Sequence, residues 1–246
     1  MHLLNNVIVL LILSAGVIAS IRLKKLTVPA AVTGGVLGWL VFAGGGYTGL
    51  GMLAAFFVLG TVATGWGHRR KSGLPANAKG KGTIPQSTRT AGQVLANGGV
   101  AALAGLGILL FPAYRIPLEL AMAGSLASAT ADTLSSELGI IYGRRHYNIL
   151  TWKPDVRGKD GVVSIEGTLI GIAGSVVIAL LYTIKHPALR DIGIIILSGT
   201  IGNMTDSILG AALERKGYIG NDMVNFLNTL AAGVLAGVLI IVISRA

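Results

Sequence analysis

Polar positions are rare inside the long apolar stretches of this chain and crowd into two segments between them. Eight apolar runs of helix length stand out, at about 3–21, 28–45, 50–67, 91–111, 117–141, 162–184, 191–213 and 222–243. Each approaches the ~20 residues that a helix needs to span a bilayer. The pattern predicts an all-α, polytopic membrane helical bundle of about eight transmembrane helices, a single membrane domain over 1–246. The first run has no basic residue ahead of it, which marks a spanning helix rather than a cleaved signal.

Composition sharpens this picture. The chain is 52% hydrophobic and 12% charged, with a mean hydropathy of +0.73, whereas soluble domains carry about 25% charged residues. Its 36 glycines sit within Leu, Val and Ile runs, where they suit close approach of helix backbones in lipid. Cysteine is absent, which excludes disulfides and thiolate metal ligands.

A net charge of +10 would suit nucleic acid if it were spread over a surface, but it is not. With alternate loops on opposite sides, 16 of the 20 Lys and Arg residues fall on one side. The other side holds Arg115, Lys185, Arg190 and Arg245. The positive-inside rule then places both termini outside and makes 68–90 and 142–161 cytoplasmic loops of a multi-pass cell-membrane protein. Nucleic acid is not an expected partner. These loops hold six and five cations, more than orientation requires. Basic juxtamembrane clusters commonly bind anionic headgroups. "AKGKGT" (78–83) also combines backbone N–H groups with lysines, a pairing suited to polyphosphate. It is no Walker A loop, because Pro75 stands in place of the first glycine and Gly82 follows Lys81.

The topology also gives each intramembrane polar residue a depth. Asp132 and Glu137, and Asn203 and Asp206, fall in the inner halves of their runs. Gln93, Asn97, Ser164, Glu166, Asn225 and Asn228 lie in the first inner turns of theirs. Carboxylates and amides from five helices thus share one level, and ionisable groups in a membrane usually mark a site or pathway. Ser128, Asp132, Ser135 and Ser136 form one helical stripe. Asn203 with Asp206, and Asn225 with Asn228, are i,i+3 pairs. Glu137 stands about 140° round from Asp132 on an ideal helix, so it faces a different neighbour or a bend. "ATADTLSSELG" and "NMTDSILGAAL" share an acid followed by a hydroxyl and an aliphatic residue, as if two helices presented acids to one centre. Oxygen ligands without Cys or paired His suit Mg²⁺. The four histidines lie near predicted helix ends and read as interfacial.

"RTAGQVLANGGV" (89–100), "ASATADTLSSELG" (127–139), "GVVSIEGTLIGIAGS" (161–175), "GNMTDSILGAAL" (202–213) and "NDMVNFLNTLAAG" (221–233) resemble, in order, an integral membrane family. It is known as domain of unknown function ninety-two, and it includes transmembrane protein nineteen and the plant phytyl-phosphate kinase. "SIEGTLIG" looks closer to the phytyl-phosphate kinase branch. The resemblance implies a kinase for a phytyl-, geranylgeranyl- or farnesyl-type prenyl monophosphate, using a nucleoside triphosphate (CTP favoured) and Mg²⁺ to give the diphosphate. Its motif residues here are Arg89, Gln93, Asn97, Asp132, Glu137, Glu166, Asn203, Asp206, Asn225 and Asn228. One departure is Leu134, where the family more often carries tryptophan, an exchange expected to affect packing or lipid fit rather than chemistry.

The residues taken together give a working assignment. Asp132, Glu137 and Asp206 are the expected catalytic and metal-binding acids. Lys79, Lys81, Arg89, Gln93, Asn97, Arg144, Arg145, Lys153, Arg157, Glu166, Asn203, Asn225 and Asn228 are expected to bind the substrates at a cytoplasm-facing active site. Two alternatives share these features: an ion-coupled secondary transporter, and a CTP-dependent cytidylyltransferase of a lipid phosphate. The outer halves of the later helices read as nearly all apolar, which disfavours a transport path. The charge asymmetry makes a direct prediction. Cysteines introduced at Lys79 and Lys159 resist an impermeant thiol reagent in intact cells and react after permeabilisation. Labelling in intact cells would reverse the orientation.

Overall fold

A computed structural model describes residues 2–67 and 88–245. Seven α-helices run through them: α1 (His2–Arg22), α2 (Val28–Gly65), α3 (Ala91–Leu110), α4 (Arg115–Tyr142), α5 (Ile165–Thr183), α6 (Leu189–Leu209) and α7 (Asn221–Ile243). A 3₁₀ turn at Pro112–Tyr114 joins α3 to α4, and a π-helical turn, Gly210–Glu214, ends α6. Among the described residues, the 142–161 segment contributes to a small strand pair beside the helices. Its β1 (Tyr147–Asn148) pairs antiparallel with β2 (Val162–Val163).

α2 is folded on itself. Gly46 has φ 64° and ψ −156°, a backbone state that is essentially confined to glycine. A Cβ at Gly38 would lie 3.8 Å from Leu53, whereas 15 residues of straight helix span about 22 Å. The two legs, 28–45 and 47–65, therefore form a helical hairpin, braced at the bend by the Phe42–Tyr47 edge contact. Counted by legs, the helices number eight, as the apolar pattern predicts.

Six helices are long and apolar enough to cross a membrane, and α4 is not among them. Its position explains why. α4 packs against α2, α3, α5, α6 and α7, and the continuous stretch Met122–Ala131 in its middle is buried by them. Ala123, Ser125, Ala127, Ser128, Ala129 and Ala131 are all fully enclosed by protein. A helix screened by its neighbours is free to carry polar residues, because it never faces hydrocarbon. The shell reaches it through small contacts. Gly44 of α2 and Gly105 of α3 pack backbone to backbone, and neither position has room for a Cβ.

The loops sort to two ends. At one, Leu26 bridges to Arg89, with Thr27 N–H donating to the Arg89 carbonyl at 3.1 Å. Trp66 Nε1 donates to the Tyr142 hydroxyl at 2.8 Å at the same end, which also carries the β-hairpin. The start of α1 and the end of α7 lie at the other, far end. That far end is not purely apolar, which corrects the sequence-based expectation. Glu119, 4% exposed, meets Arg115 Nε at 2.9 Å, Lys185 Nζ at 3.0 Å and His186 Nε2 at 3.0 Å. Asp191 pairs with Arg190 at 3.1 Å. Each acid is neutralised in place. Between the two ends lies an apolar core including Leu120, Met122, Leu126, Ile178 and Ile195.

The Gly44–Gly105 contact yields a stability prediction. Gly105→Leu forces α2 and α3 apart, at a cost of about 1–3 kcal/mol for overpacking. Each kcal/mol is worth roughly 2–4 °C in a chain of this size, so thermal unfolding in detergent falls by several degrees. Gly99→Leu on the same helix, where a Cβ meets nothing within 4 Å, leaves the midpoint in place. Equal shifts in the two variants would refute the packing argument.

Candidate functional site: a carboxylate-lined cavity at one end of the bundle

Around the last turns of α4, where the hairpin end of the bundle begins, the helices enclose a cavity of about 560 Å³. Its centre is an acid pair. Asp132 of α4 and Asp206 of α6 are in hydrogen-bonding contact through their carboxyl groups. Asn228 Nδ2 of α7 donates to Asp206 Oδ1 at 2.7 Å, and Ser128 Oγ donates to Asn228 Oδ1 at 3.0 Å. Ser135 Oγ donates to Asn203 Oδ1 at 2.9 Å. The serine stripe on α4 thus holds the amides of α6 and α7, and Asn228 in turn orients Asp206. Both predicted acid-bearing helices do meet at one centre.

Glu137 lines the same cavity, and its charge opposes the lowering of the Arg89 pKa by burial. The Arg89 guanidinium stacks over the Phe56 ring at 5.5 Å and lies over Gly60, where a Cβ would come within 2.6 Å of Nη2. Its backbone is fixed by the bridge to the α1–α2 link, with Arg89 N–H donating to the Lys25 carbonyl at 2.9 Å. The cation is therefore set by a backbone anchor and by a helix surface with no side chain in its way.

The amides divide between structure and exposure to the cavity. Gln93 closes a capping box with Thr90, accepting from Thr90 N–H at 2.9 Å, so its carbonyl oxygen serves the start of α3. Asn97 donates to the Gln93 carbonyl at 2.9 Å, but its buried Oδ1 has no partner, although it lines the cavity. Asn225 lines it too.

Other predicted residues stand apart from the cavity. Glu166 turns away and accepts from Arg144 N–H at 3.3 Å. Arg144, Arg145, Lys153 and Arg157 are exposed and outside the cavity wall. Lys79 and Lys81, with the "AKGKGT" stretch, lie outside the described residues. Leu134 packs on Gly174 of α5 rather than facing the cavity, since a Cβ there would sit 2.9 Å from its Cδ1. That agrees with a packing role at this position.

Three charged wall residues escaped the sequence reading: Lys159, Asp160 and Glu214. Lys159 and Asp160 sit in "GKDG", between Gly158 and Gly161, both at positive φ. Gly161 packs directly on Ala211 of the π-helical turn with no room for a Cβ, which brings the loop over the cavity. The paired glycines around two charges were the available signal. Arg215 Nη1 ties this cover to the π turn through Asp155 at 2.8 Å and holds that carboxyl below its ordinary pKa. Partial burial pushes Asp160 the other way. Glu214 is carried inward by the π turn, a distortion frequent at functional sites. At the mouth stands Trp152, 70% exposed. Its φ of 54° is unusual for a bulky residue and is fixed by Trp152 N–H donating to the Asn148 carbonyl at 2.8 Å.

Among the described residues, five carboxylates (Asp132, Glu137, Asp160, Asp206, Glu214) face two cationic side chains, Arg89 and Lys159, across the cavity. No group of three or more His, Asp or Glu side chains among them closes on one point as a metal cage. Asp132 and Asp206 converge, and Glu137 lines the same cavity. A pair is nonetheless what Mg²⁺ commonly takes from a protein, one or two carboxylates with substrate phosphates completing the shell.

Comparison with known proteins agrees with this architecture. The family described as integral membrane protein DUF92 matches residues 11–233. An uncharacterised membrane protein of Methanocaldococcus jannaschii is 33% identical over 208 residues, 83% of this chain and 81% of its own. An uncharacterised membrane protein of Synechocystis is 31% identical, over 89% of this chain and 84% of its own. The chloroplastic protein VTE6 of Arabidopsis thaliana is 30% identical, over 85% of this chain and 62% of its own. No solved structure matches. With most of its length matched, from α1 into α7, this multi-pass chain belongs to the DUF92 integral membrane protein family.

Proposed function

We propose that the cavity transfers a phosphoryl group from a nucleoside triphosphate, CTP favoured, to a prenyl monophosphate. The observation that carries this reading is the Asp132–Asp206 carboxyl pair, set among further acids and flanked by Arg89 and Lys159, at the end of a membrane bundle. The family resemblance to the plant phytyl-phosphate kinase supports the same class of reaction.

The chemistry asks little covalent work of the protein. A phosphate monoester already carries an anionic oxygen near neutral pH, since its second pKa is about 6. That oxygen forms a bond to the γ-phosphorus while the bond from the γ-phosphorus to the β–γ bridging oxygen breaks. The products are a prenyl diphosphate and a nucleoside diphosphate. Positioning and charge neutralisation supply most of the rate in such transfers. A net-acidic cavity repels two polyanions, so the reading requires divalent cations to enter with them. Asp132 and Asp206 would hold Mg²⁺, which when bound neutralises phosphoryl oxygens. Asn228 and Ser128 keep the pair oriented. Arg89 and Lys159 bind phosphate oxygens, and Asn97 Oδ1 is free to accept from a substrate hydroxyl or amine. Trp152 offers an aromatic face at the mouth where a nucleobase stacks.

An ion-coupled transporter would link the two ends of the bundle. The far-end acids are paired in place, and the core between is apolar, which favours chemistry at one end. Products separate the remaining alternative: a cytidylyltransferase releases pyrophosphate and leaves a CDP-lipid.

Two experiments test the reading. Asp132→Asn and Asp206→Asn keep size and a carbonyl oxygen but remove charge. Each lowers Mg²⁺-dependent prenyl diphosphate formation at least about a hundred-fold, or ~2.7 kcal/mol on the barrier, with the protein still folded. Near wild-type turnover in both well-folded variants would remove the acid pair from catalysis. Arg89→Ala and Lys159→Ala each raise KM for nucleotide or lipid phosphate roughly ten-fold or more, since a charge-assisted contact is worth about 1.5–3 kcal/mol. Unchanged kinetics in both would assign these cations to structure alone.

A further inference from the structure

The cavity does not open only at the hairpin end. Ile165 and Leu169 of α5 and Met204 of α6 line it, yet they are 74%, 60% and 44% exposed. A residue that lines an internal cavity and also faces outward marks a lateral opening. The seam between these two helices explains where it lies. Deeper in the bundle α5 and α6 touch: a Cβ at Gly171 would meet Asn203 Nδ2 at 2.8 Å, and one at Gly199 would meet Ser175. One turn nearer the site end, Thr168 and Ser207 border the cavity instead. On the helical wheel Thr168, Ile165 and Met204 sit outward of those seam residues, on the facing sides of α5 and α6.

We propose that this α5–α6 slot admits the isoprenoid tail of the lipid monophosphate sideways from the bilayer, while its phosphate stays at the acid pair. The proposal rests on the kinase reading for the identity of the lipid. The slot itself rests on exposure and lining alone. Both flanking helices are long and apolar enough to cross a membrane, so under the proposal the slot opens toward the bilayer. The lips are apolar, and Glu166, the nearest acid on α5, is turned away to the Arg144 N–H. A lipid with a charged head and an apolar tail matches this gradient: hydroxyls and carboxylates inside, Leu and Met at the edge. An unsaturated polyprenyl tail needs no polar partner along its length, and the slot offers it none beyond Thr168 and Ser207. Entry by this route also spares the apolar tail from crossing water, which disfavours every exposed CH₂.

Two measurements on the full-length protein in lipid nanodiscs test the slot. Benzoylphenylalanine at Leu169 or Met204 crosslinks tritiated geranylgeranyl monophosphate at least ten-fold more than at Leu103, an equally exposed position (60%) on α3. Leu169→Trp and Met204→Trp narrow the opening. They raise the ratio of KM for geranylgeranyl monophosphate to KM for the five-carbon isopentenyl monophosphate at least ten-fold. Equal crosslinking at the three positions overturns the proposal. So does an unchanged ratio, including a parallel loss of both substrates. Selective crosslinking without any diphosphate product from ATP, CTP, GTP or UTP would leave the slot standing and end the kinase reading. Diphosphate formation with uniform crosslinking would do the reverse.

Discussion

Two carboxyl groups in contact inside a membrane bundle set the terms for everything around them. At 4 Å, two unit charges in a medium of effective dielectric about 20 interact by about 4 kcal/mol, and like charges pay that as repulsion. The Asp132–Asp206 contact therefore needs a shared proton, a donor or a cation, and the fold supplies a donor through α4 and α7. Ser128 holds Asn228, and Asn228 holds Asp206. Those bonds need α4, α6 and α7 to approach within side-chain reach of a hydroxyl or amide. Small residues at the seams, Gly199, Gly202 and Ala232 among them, make that approach sterically allowed. The packing of the bundle and the placing of the acids are one arrangement.

The same constraint explains why α4 is at the centre. A helix with an acid, several hydroxyls and a glutamate is a poor neighbour for lipid. Enclosed by five others, it is buried where its polar stripe finds partners. The far-end cluster obeys the same rule with different means. Glu119 is neutralised by Arg115, Lys185 and His186 rather than by amides. There the acid sits directly against cationic side chains. At the hairpin end, by contrast, Asn97 Oδ1 is buried without a partner, and carboxylates outnumber cations. The two ends are both charged, and acids are in excess only at the cavity among the described residues.

Much of this was legible in the chain because membranes restrict the choices. Apolar run lengths gave the helices, including the two legs of α2, although nothing in "FAGGGYTG" said which glycine would take the reversal. Period and depth brought Asp132, Asp206, Asn203, Asn225 and Asn228 to one level. The acid pair and its amide partners follow from that. The loops were harder to read. Charge counts alone made Arg144, Arg145, Lys153 and Arg157 look equivalent to Lys159. Which of them faces inward depends on Gly161 packing against Ala211, a tertiary contact with no local signature. Glu214 was hidden for a related reason: it lies just past the apolar run 191–213, and the π turn that carries it inward has no local signature. Gln93 and Glu166 show the converse. Polar residues at helix starts often serve the backbone, and Gln93 caps α3 while Glu166 accepts from Arg144 N–H.

The depth of the site follows from the physics of an amphiphilic ligand. A lipid phosphate sits at the headgroup level, and drawing its charge toward the midplane is costly in proportion to the hydration it loses. A carrier must accept that cost and commonly places its binding site near the middle of the bilayer. A protein that only modifies the head has no reason to. The polar level found here lies at one end of the bundle, below it an apolar core and beside it a gap between α5 and α6. Under the kinase reading, water reaches the site from the end and hydrocarbon reaches it from the side. The phosphate then meets the acids without leaving the depth at which it already resides.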